Sequence, residues 1–265
     1  MSAAHSPANQ PAIFITGATA GIGAATARLF AGKGWRVGLA ARSADKLQAL
    51  ATELGNEHCS WHVADVADFN QLQSALQDFV RRSDGQLNVL VNNAGVLYAG
   101  DFETIPLEQQ HAMVDINVKG VINGCQAAFE YLRATEGAHV INMSSASAMY
   151  GSPTLATYSA SKFAVRALTE ALNVEWARHD IAVTDIMPPF VDTDMIDSPV
   201  RSKVRAISLL GVQLTPEDVA QRVWQAVATR PLHDRVTTPF KVLALLQKHA
   251  PETVQRRVVK FLSGY

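Results

Sequence analysis

Two groups of residues have the types and spacing that chemistry requires. Tyr158 and Lys162 stand four positions apart in Tyr158-Ser-Ala-Ser-Lys162. On a helix they share a face, with Cβ atoms about 5–6 Å apart. A phenol with a pKa of about 10 exchanges protons poorly at neutral pH unless a neighbouring cation favours its ionised form. The pair therefore suits proton transfer, although the same spacing also describes an ordinary amphipathic helix. The second group is Thr16-Gly-Ala-Thr-Ala-Gly21-Ile-Gly23. Glycines at 17, 21 and 23 let a backbone turn sharply and approach a pyrophosphate without Cβ clashes. A helix starting there offers unpaired amides and the positive end of its dipole. No G-K-[ST] follows, so this is not a P-loop.

These groups need a frame. Strand-like runs are expected at 12–16, 36–41, 58–63, 87–92, 139–143 and 181–186, with helical spacing at 22–33, 44–54, 68–82, 106–132 and 156–178. Short apolar strands alternating with helices indicate an α/β fold, a doubly wound parallel sheet with helices on both faces. Val236-Thr-Thr238 reads as a last edge strand cut short by Pro239. No repeat or Gly/Ser linker divides the chain. The expected organisation is a loose tail at 1–11 and one domain over 12–265, in which 189–265 forms a substrate loop and C-terminal cap.

Composition narrows the function. The 265 residues include 23 Lys+Arg and 24 Asp+Glu, a formal net charge of −1, which argues against general nucleic-acid binding. No run approaches the 18 or so apolar residues of a membrane span. Neither Cys59 nor Cys125 lies in a C-x-x-C, so no disulfide framework or zinc ribbon is indicated. His58 and His62 lack a carboxylate companion and an extended segment separates them, so no metal is expected. A reduced, cytoplasmic protein is the expectation. The near-neutral total conceals an asymmetry: residues 1–198 hold 12 basic and 20 acidic side chains, residues 199–265 hold 11 and 4. Within that basic region a helix is expected from Pro251-Glu252, with Val254, Val258 and Phe261 on one face and Arg256, Arg257 and Lys260 largely off it. It reads as a helix packed on the domain with a solvated basic face, or as a cap bordering a cleft or resting on an anionic surface.

The end of the second strand bears on the ribose of a dinucleotide. An acidic residue about 20 positions after the glycines would select NAD. Here the residues are Ala41-Arg42-Ser43. A guanidinium at 42 suits a 2′-phosphate, so NADP is favoured with NAD possible, unless Arg42 is only a solvated turn residue. Asp65-Val66 is placed for the adenine edge, or Asp65 caps a helix.

With these motifs in order, the sequence closely resembles the short-chain dehydrogenase/reductase family over about residues 12–195. The glycine motif matches Thr16–Gly23, the adenine-side motif Asn92-Asn-Ala-Gly95, and the catalytic motif Tyr158–Lys162. Ser145, thirteen positions before the tyrosine, and Asn117 in Asp-Ile-Asn-Val-Lys-Gly match the remaining catalytic positions. Pro188-Pro189 departs from the usual Pro-Gly, while Thr193 keeps the threonine that meets the carboxamide. The resemblance implies an NAD(P)-dependent oxidoreductase acting on an alcohol or carbonyl. It implies that Tyr158 exchanges the proton, Ser145 hydrogen-bonds the substrate oxygen, Lys162 lowers the tyrosine pKa and binds the ribose, and Asn117 supports a water. Cofactor contacts are implied at Gly17, Thr19, Gly21, Ile22, Gly23, Arg42, Asp65, Val66, Asn92, Ala94, Gly95, Tyr158, Lys162, Pro188, Val191 and Thr193. Without the resemblance, Ser145 is a strand-end turn residue and Asn117 a helix-interior amide.

Leu97, Met149, Leu155, Phe190, Met195 and Ile196 fall in segments that surround the carbonyl in this family, suggesting an apolar ketone or secondary alcohol; each also suits a core. The helices at 106–132 and 156–178 resemble the family's subunit-contact pair, so a homodimer or homotetramer is expected. Two other classes compete. A non-catalytic dinucleotide-sensing protein would share the fold. Ser159-Ala-Ser-Lys162 is a literal S-x-x-K, the pattern of serine acyl hydrolases, but K-T-G and S-D-N are absent.

Overall fold

The computed structural model describes residues 10–55, 57–196, 198–212, 214–238, 240 and 250–265. Seven strands form one parallel sheet: β1 (Ala12–Thr16), β2 (Arg36–Ala41), β3 (Cys59–Val63), β4 (Val89–Asn92), β5 (His139–Met143), β6 (Ala182–Met187) and β7 (His233–Arg235), in the order β3-β2-β1-β4-β5-β6-β7. The strand order reverses between β1 and β4. There the connections leave toward opposite faces and open a crevice at the carboxyl ends of the strands.

Alternation along β1 shows how the layers are held. Ile13 and Ile15 pack into one core with Phe30, Leu47 and Val223, while Ala12 and Phe14 enter the other with Leu76 and Phe79. The first layer consists of α1 (Gly21–Gly32), α2 (Ala44–Leu54) and α9 (Pro216–Thr229); the second contains α3 (Phe69–Arg82), α5 (Gly120–Arg133) and α6 (Ala156–Trp176). Phe30, Trp35 and Trp224 lock α1 to α9 edge to face, with centroids 5.0–6.0 Å apart, a preferred aromatic geometry.

Three expectations are corrected. The helix expected over 106–132 is α4 (Leu107–Val114) and α5 joined by a π-helical stretch, Asp115–Lys119; periodicity does not reveal a one-residue widening of the turn. The last strand is His233–Arg235 and not 236–238, because Asp185–Met187 of β6 supplies its partners; Pro239 lies outside the described residues. The span 189–265 is not only loop and cap, since α9 and β7 within it belong to the layers and the sheet. The expected C-terminal helix is α10 (Glu252–Ser263), with Val254, Val258 and Phe261 together on an exposed face and Gln255, Val259, Leu262 and Ser263 as its less exposed positions. Two short helices, α7 (Ser198–Lys203) and α8 (Arg205–Leu210), precede α9. The expected tail at 1–11 falls outside the described residues up to residue 9.

Candidate active site

The carboxyl ends of β1 to β6 border a cleft of about 1380 Å³ that runs from Arg42 and Lys46 at one end to α10 at the other. Its floor is stitched across the point where the strand order reverses. Thr16 Oγ1 accepts the amides of Asn93 and Ala94 at 3.0 and 3.1 Å, and Asn93 Nδ2 donates to the carbonyls of Thr16 and Gly17. Glycine is required at 17, 21 and 23 of this cradle. Gly21 has φ +49°, and a Cβ there would come within 3.0 Å of Thr193 Cγ2; at Gly23 it would meet the Gly17 carbonyl oxygen at 2.3 Å. The α1 helix begins at Gly21, preceded by Ala20 at the capping position, with no side-chain cap and no acidic residue in its first turn. Its leading amides are therefore left to an anionic ligand. A pyrophosphate fits this floor.

Of the sequence-designated residues, Gly17, Thr19, Gly21, Ile22, Arg42, Asp65, Val66, Ala94, Gly95, Ser145, Tyr158, Lys162, Pro188, Val191 and Thr193 line the cleft. Three do not. Gly23 packs beneath the floor, as its Cβ space shows. Asn92 points into the sheet interior, where its Nδ2 donates to Asn142 Oδ1 at 2.9 Å; its successor, Asn93, faces the cleft. Asn117 is fully buried. Its Oδ1 accepts the Val96 amide at 2.8 Å while Nδ2 donates to the Val96 carbonyl and to Ser161 Oγ, both at 3.0 Å. Asp65 is not the helix cap: Asp68 accepts the amides of Asn70 and Gln71 at the start of α3, and Asp65 holds the Ala67 amide. The sequence reading missed Lys46, Thr16 and Asn93. Lys46 was discoverable, being one turn beyond Arg42 at the start of α2.

At the centre, Tyr158 and Lys162 lie on α6, and Ser145, two residues beyond β5, caps the short turn Ala146–Ala148. The neighbouring Ser145 hydroxyl favours the ionised phenol, but burial dominates and pushes its pKa up to about 12. Burial also pushes the Lys162 ammonium down to about 8. The ammonium donates to the Met143 carbonyl at 2.8 Å and stands 5.7 Å from the Tyr158 ring centroid. Desolvation disfavours the charged forms of both groups at once, and on the phenol it outweighs the lowering by the Ser145 hydroxyl. One turn further along α6, Arg166 donates to the Ala148 carbonyl at 3.3 Å and to Glu170 at 2.8 Å. His233 of β7 bridges Glu170 and the buried Asp185 at 3.1 and 2.8 Å. This chain of charges ties the segment after Ser145 to the sheet edge.

Leu97, Met149, Leu155, Phe190, Met195 and Ile196 all border the cleft, and Leu155 and Ile196 also pack on Met113 in a satellite core. Ser159 does not border it; its Oγ accepts the Ser152 amide at 3.2 Å. Among the described residues, no group of three or more His, Cys, Asp or Glu is placed to hold a metal ion, and no helix is long and apolar enough to cross a membrane.

A doubly wound sheet with a glycine cradle at its switch point and a Ser–Tyr–Lys cluster beside it defines a dinucleotide-dependent oxidoreductase class. The short chain dehydrogenase family model matches residues 11–203, and the chain belongs to that family. It is 35% identical over 231 residues to the oxidoreductase UcpA of Salmonella typhimurium, covering 86% of this chain and 82% of that one. It is 35% identical over 223 residues to an uncharacterized oxidoreductase of Staphylococcus haemolyticus, covering 84% and 92%. A 3-ketoacyl-(acyl-carrier-protein) reductase from Brucella melitensis, complexed with NADH, superposes with a TM-score of 0.74 at 25% identity over 83% of this chain and 91% of that one. A short chain dehydrogenase/reductase from Burkholderia phymatum, in complex with NAD, superposes with a TM-score of 0.82 at 24% identity over 96% and 97%.

Proposed function

We propose that this oxidoreductase interconverts an apolar ketone or aldehyde and its alcohol with NADP(H), using Tyr158 as the acid/base. The observation that carries this reading is the meeting of the Tyr158 and Ser145 hydroxyls in the cleft, with Lys162 behind them. When bound, the nicotinamide dinucleotide supplies or accepts the hydride. The chain's own residues do the rest. Ser145 donates a hydrogen bond to the substrate oxygen and stabilises the negative charge that develops on it. The phenol, protonated at neutral pH because burial holds its pKa at about 12, gives its proton to that oxygen during reduction. Lys162 holds positive charge below about pH 8 and offers donors to a ribose hydroxyl. Asn117 positions the Val96 backbone behind Gly95 and touches no reacting atom. Arg42 and Lys46, with no carboxylate at the end of β2, favour a 2′-phosphate.

The apolar border of the cleft supports a lipophilic substrate, and two free, buried cysteines fit a reducing, cytoplasmic setting. A homodimer or homotetramer is part of the same reading. It draws support from Leu107, Val114, Ile122, Phe163 and Val174, apolar side chains exposed on α4, α5 and α6. Against a serine acyl hydrolase stands Ser159, which lies outside the cleft. A dinucleotide sensor would need no hydroxyl pair. The deciding experiment measures NADPH-dependent reduction of a ketone panel by wild type and Tyr158→Phe. Turnover should fall by about 10²- to 10⁴-fold while the NADPH dissociation constant stays within twofold. Equal turnover in the variant refutes the assignment.

A further inference from the structure

The last helix carries a surface that the reaction does not use. Val254 and Val258 are 46% and 42% exposed and yet border the cleft, and Phe261 is 68% exposed on the same side of α10. Arg256, Arg257 and Lys260 are exposed on the adjoining side, and among the described residues none has an ion-pair partner; Glu252 is the helix's single acid. Lys203 and Arg205, on the neighbouring α7 and α8, are exposed and likewise unpartnered among the described residues. The cleft lining continues inward from this helix through Val259 and Leu262. An apolar path thus leads from an exposed, cation-flanked shoulder toward Tyr158. A water-exposed phenylalanine and two half-exposed valines beside unpaired cations form an amphipathic interfacial pattern.

We propose that α10 is a membrane-surface helix. It rests on anionic headgroups through Arg256, Arg257 and Lys260 and sets Phe261, Val254 and Val258 at the level of the acyl chains, so that the cleft mouth opens against the bilayer. Charge complementarity selects this occupant: Arg256, Arg257 and Lys260 of α10 face a single acid, Glu252, on their own helix, whereas Arg201, Arg222 and Arg230 of the same basic region are ion-paired elsewhere. A second copy docked on this face across a two-fold axis would set the same cations against one another. The bilayer would then store an apolar substrate beside the cleft. The inference concerns where the protein sits and needs no turnover to be tested.

The full chain would be sedimented with vesicles of phosphatidylcholine alone and with one third phosphatidylglycerol, at low and high salt. Binding is expected to the anionic vesicles only, weakening as salt rises. The triple variant R256Q/R257Q/K260Q should lose affinity by about fivefold per charge, on the order of 100-fold together. Phe261→Ser should lose at least about tenfold. Both variants should keep the wild-type melting temperature and the wild-type rate on a water-soluble ketone. No binding to anionic vesicles, or binding that both variants retain, overturns the proposal. Equal affinity for soluble polyglutamate would assign the face to an acidic partner and also overturn it, as would a change of oligomeric state in the variants with no vesicle binding. Vesicle binding without turnover would leave this inference intact and refute only the proposed reaction.

Discussion

At the residue scale, the proposed reaction divides the cleft between side chains that would hold a cofactor and those that would move a proton. Arg42 and Lys46 border one end of the cleft, where β2 runs into α2. Charge-assisted hydrogen bonds to a 2′-phosphate contribute roughly 1.5–3 kcal/mol, so Arg42→Ala should weaken NADP by about 10- to 150-fold. NAD, lacking that phosphate, should bind within twofold of wild type. Lys46→Ala should act in the same direction but less, since an ammonium cannot make the two parallel bonds of a guanidinium. Dissociation constants for both cofactors in each variant provide the check. Equal losses for NADP and NAD would show that neither residue reads the phosphate. Tyr158→Phe addresses the other half of the division, removing the proton while leaving the glycine cradle and Lys162 in place.

At the element scale, the π-helical stretch Asp115–Lys119 does what a regular helix would not. Widening one turn brings Asn117 against the loop after β4, where its amide clamps both backbone groups of Val96 and reaches Ser161 on α6. Truncating it leaves the half-buried amide and carbonyl of Val96 without their partner, each costing about 1–3 kcal/mol unless water or a shift of the chain replaces the lost bond, and takes one bond from the Ser161 hydroxyl, which keeps the Tyr158 carbonyl. Asn117→Ala should therefore destabilise the fold by about 2–4 kcal/mol and lower Tm by roughly 5–15 °C. Thermal unfolding followed by circular dichroism measures this. A wild-type Tm with lost activity would instead assign the amide a purely chemical role. The motif reading that put Asn117 among the catalytic residues was legible from its local sequence. Its work as a clamp was not, because the Val96 partner lies 21 residues away.

At the scale of the whole molecule, two matters are testable: association and acid stability. Phe163 and Val174 are exposed on α6, Val174 by 77%. Light scattering at micromolar concentration should show a dimer or tetramer, and Phe163→Glu with Val174→Glu should shift it toward monomer. A monomeric wild type would refute the assembly. Acid stability rests on two buried histidines. Burial pushes His62 and His139 down to about 4, and the Nδ1 of His139 has no hydrogen-bond partner among the described residues, as suits a neutral ring. Unfolding returns each ring to a pKa of about 6.5, so the unfolded chain binds protons first. Stability should be fully present above pH 6.5 and fall as pH drops from 6.5 to about 4, by up to about 3 kcal/mol per histidine. Urea titrations at pH 7, 5.5 and 4.5 measure the slope, which His62→Gln/His139→Gln should flatten. An unchanged slope would place the acid sensitivity elsewhere.

The order of strands and helices, the glycine cradle and the Tyr158–Lys162 spacing were legible in the sequence because each is written within a few turns of chain. Periodicity of apolar residues, a glycine forced by a tight turn and a four-residue helical repeat are local physical constraints. The tertiary structure decided what depends on distant partners. It turned Asn92 into the sheet and Asn93 toward the cleft, placed β7 at 233–235 opposite β6, and joined Arg166, Glu170, His233 and Asp185 into one chain of charges. It also set the proton affinities of Tyr158 and Lys162, since the segments that exclude water from them come from several parts of the chain. Composition stated that the C-terminal region is basic. Only the packing of α10 against the cleft showed which of its side chains turn inward and which remain on the surface, because burial is a property of the assembled layers and not of the helix itself.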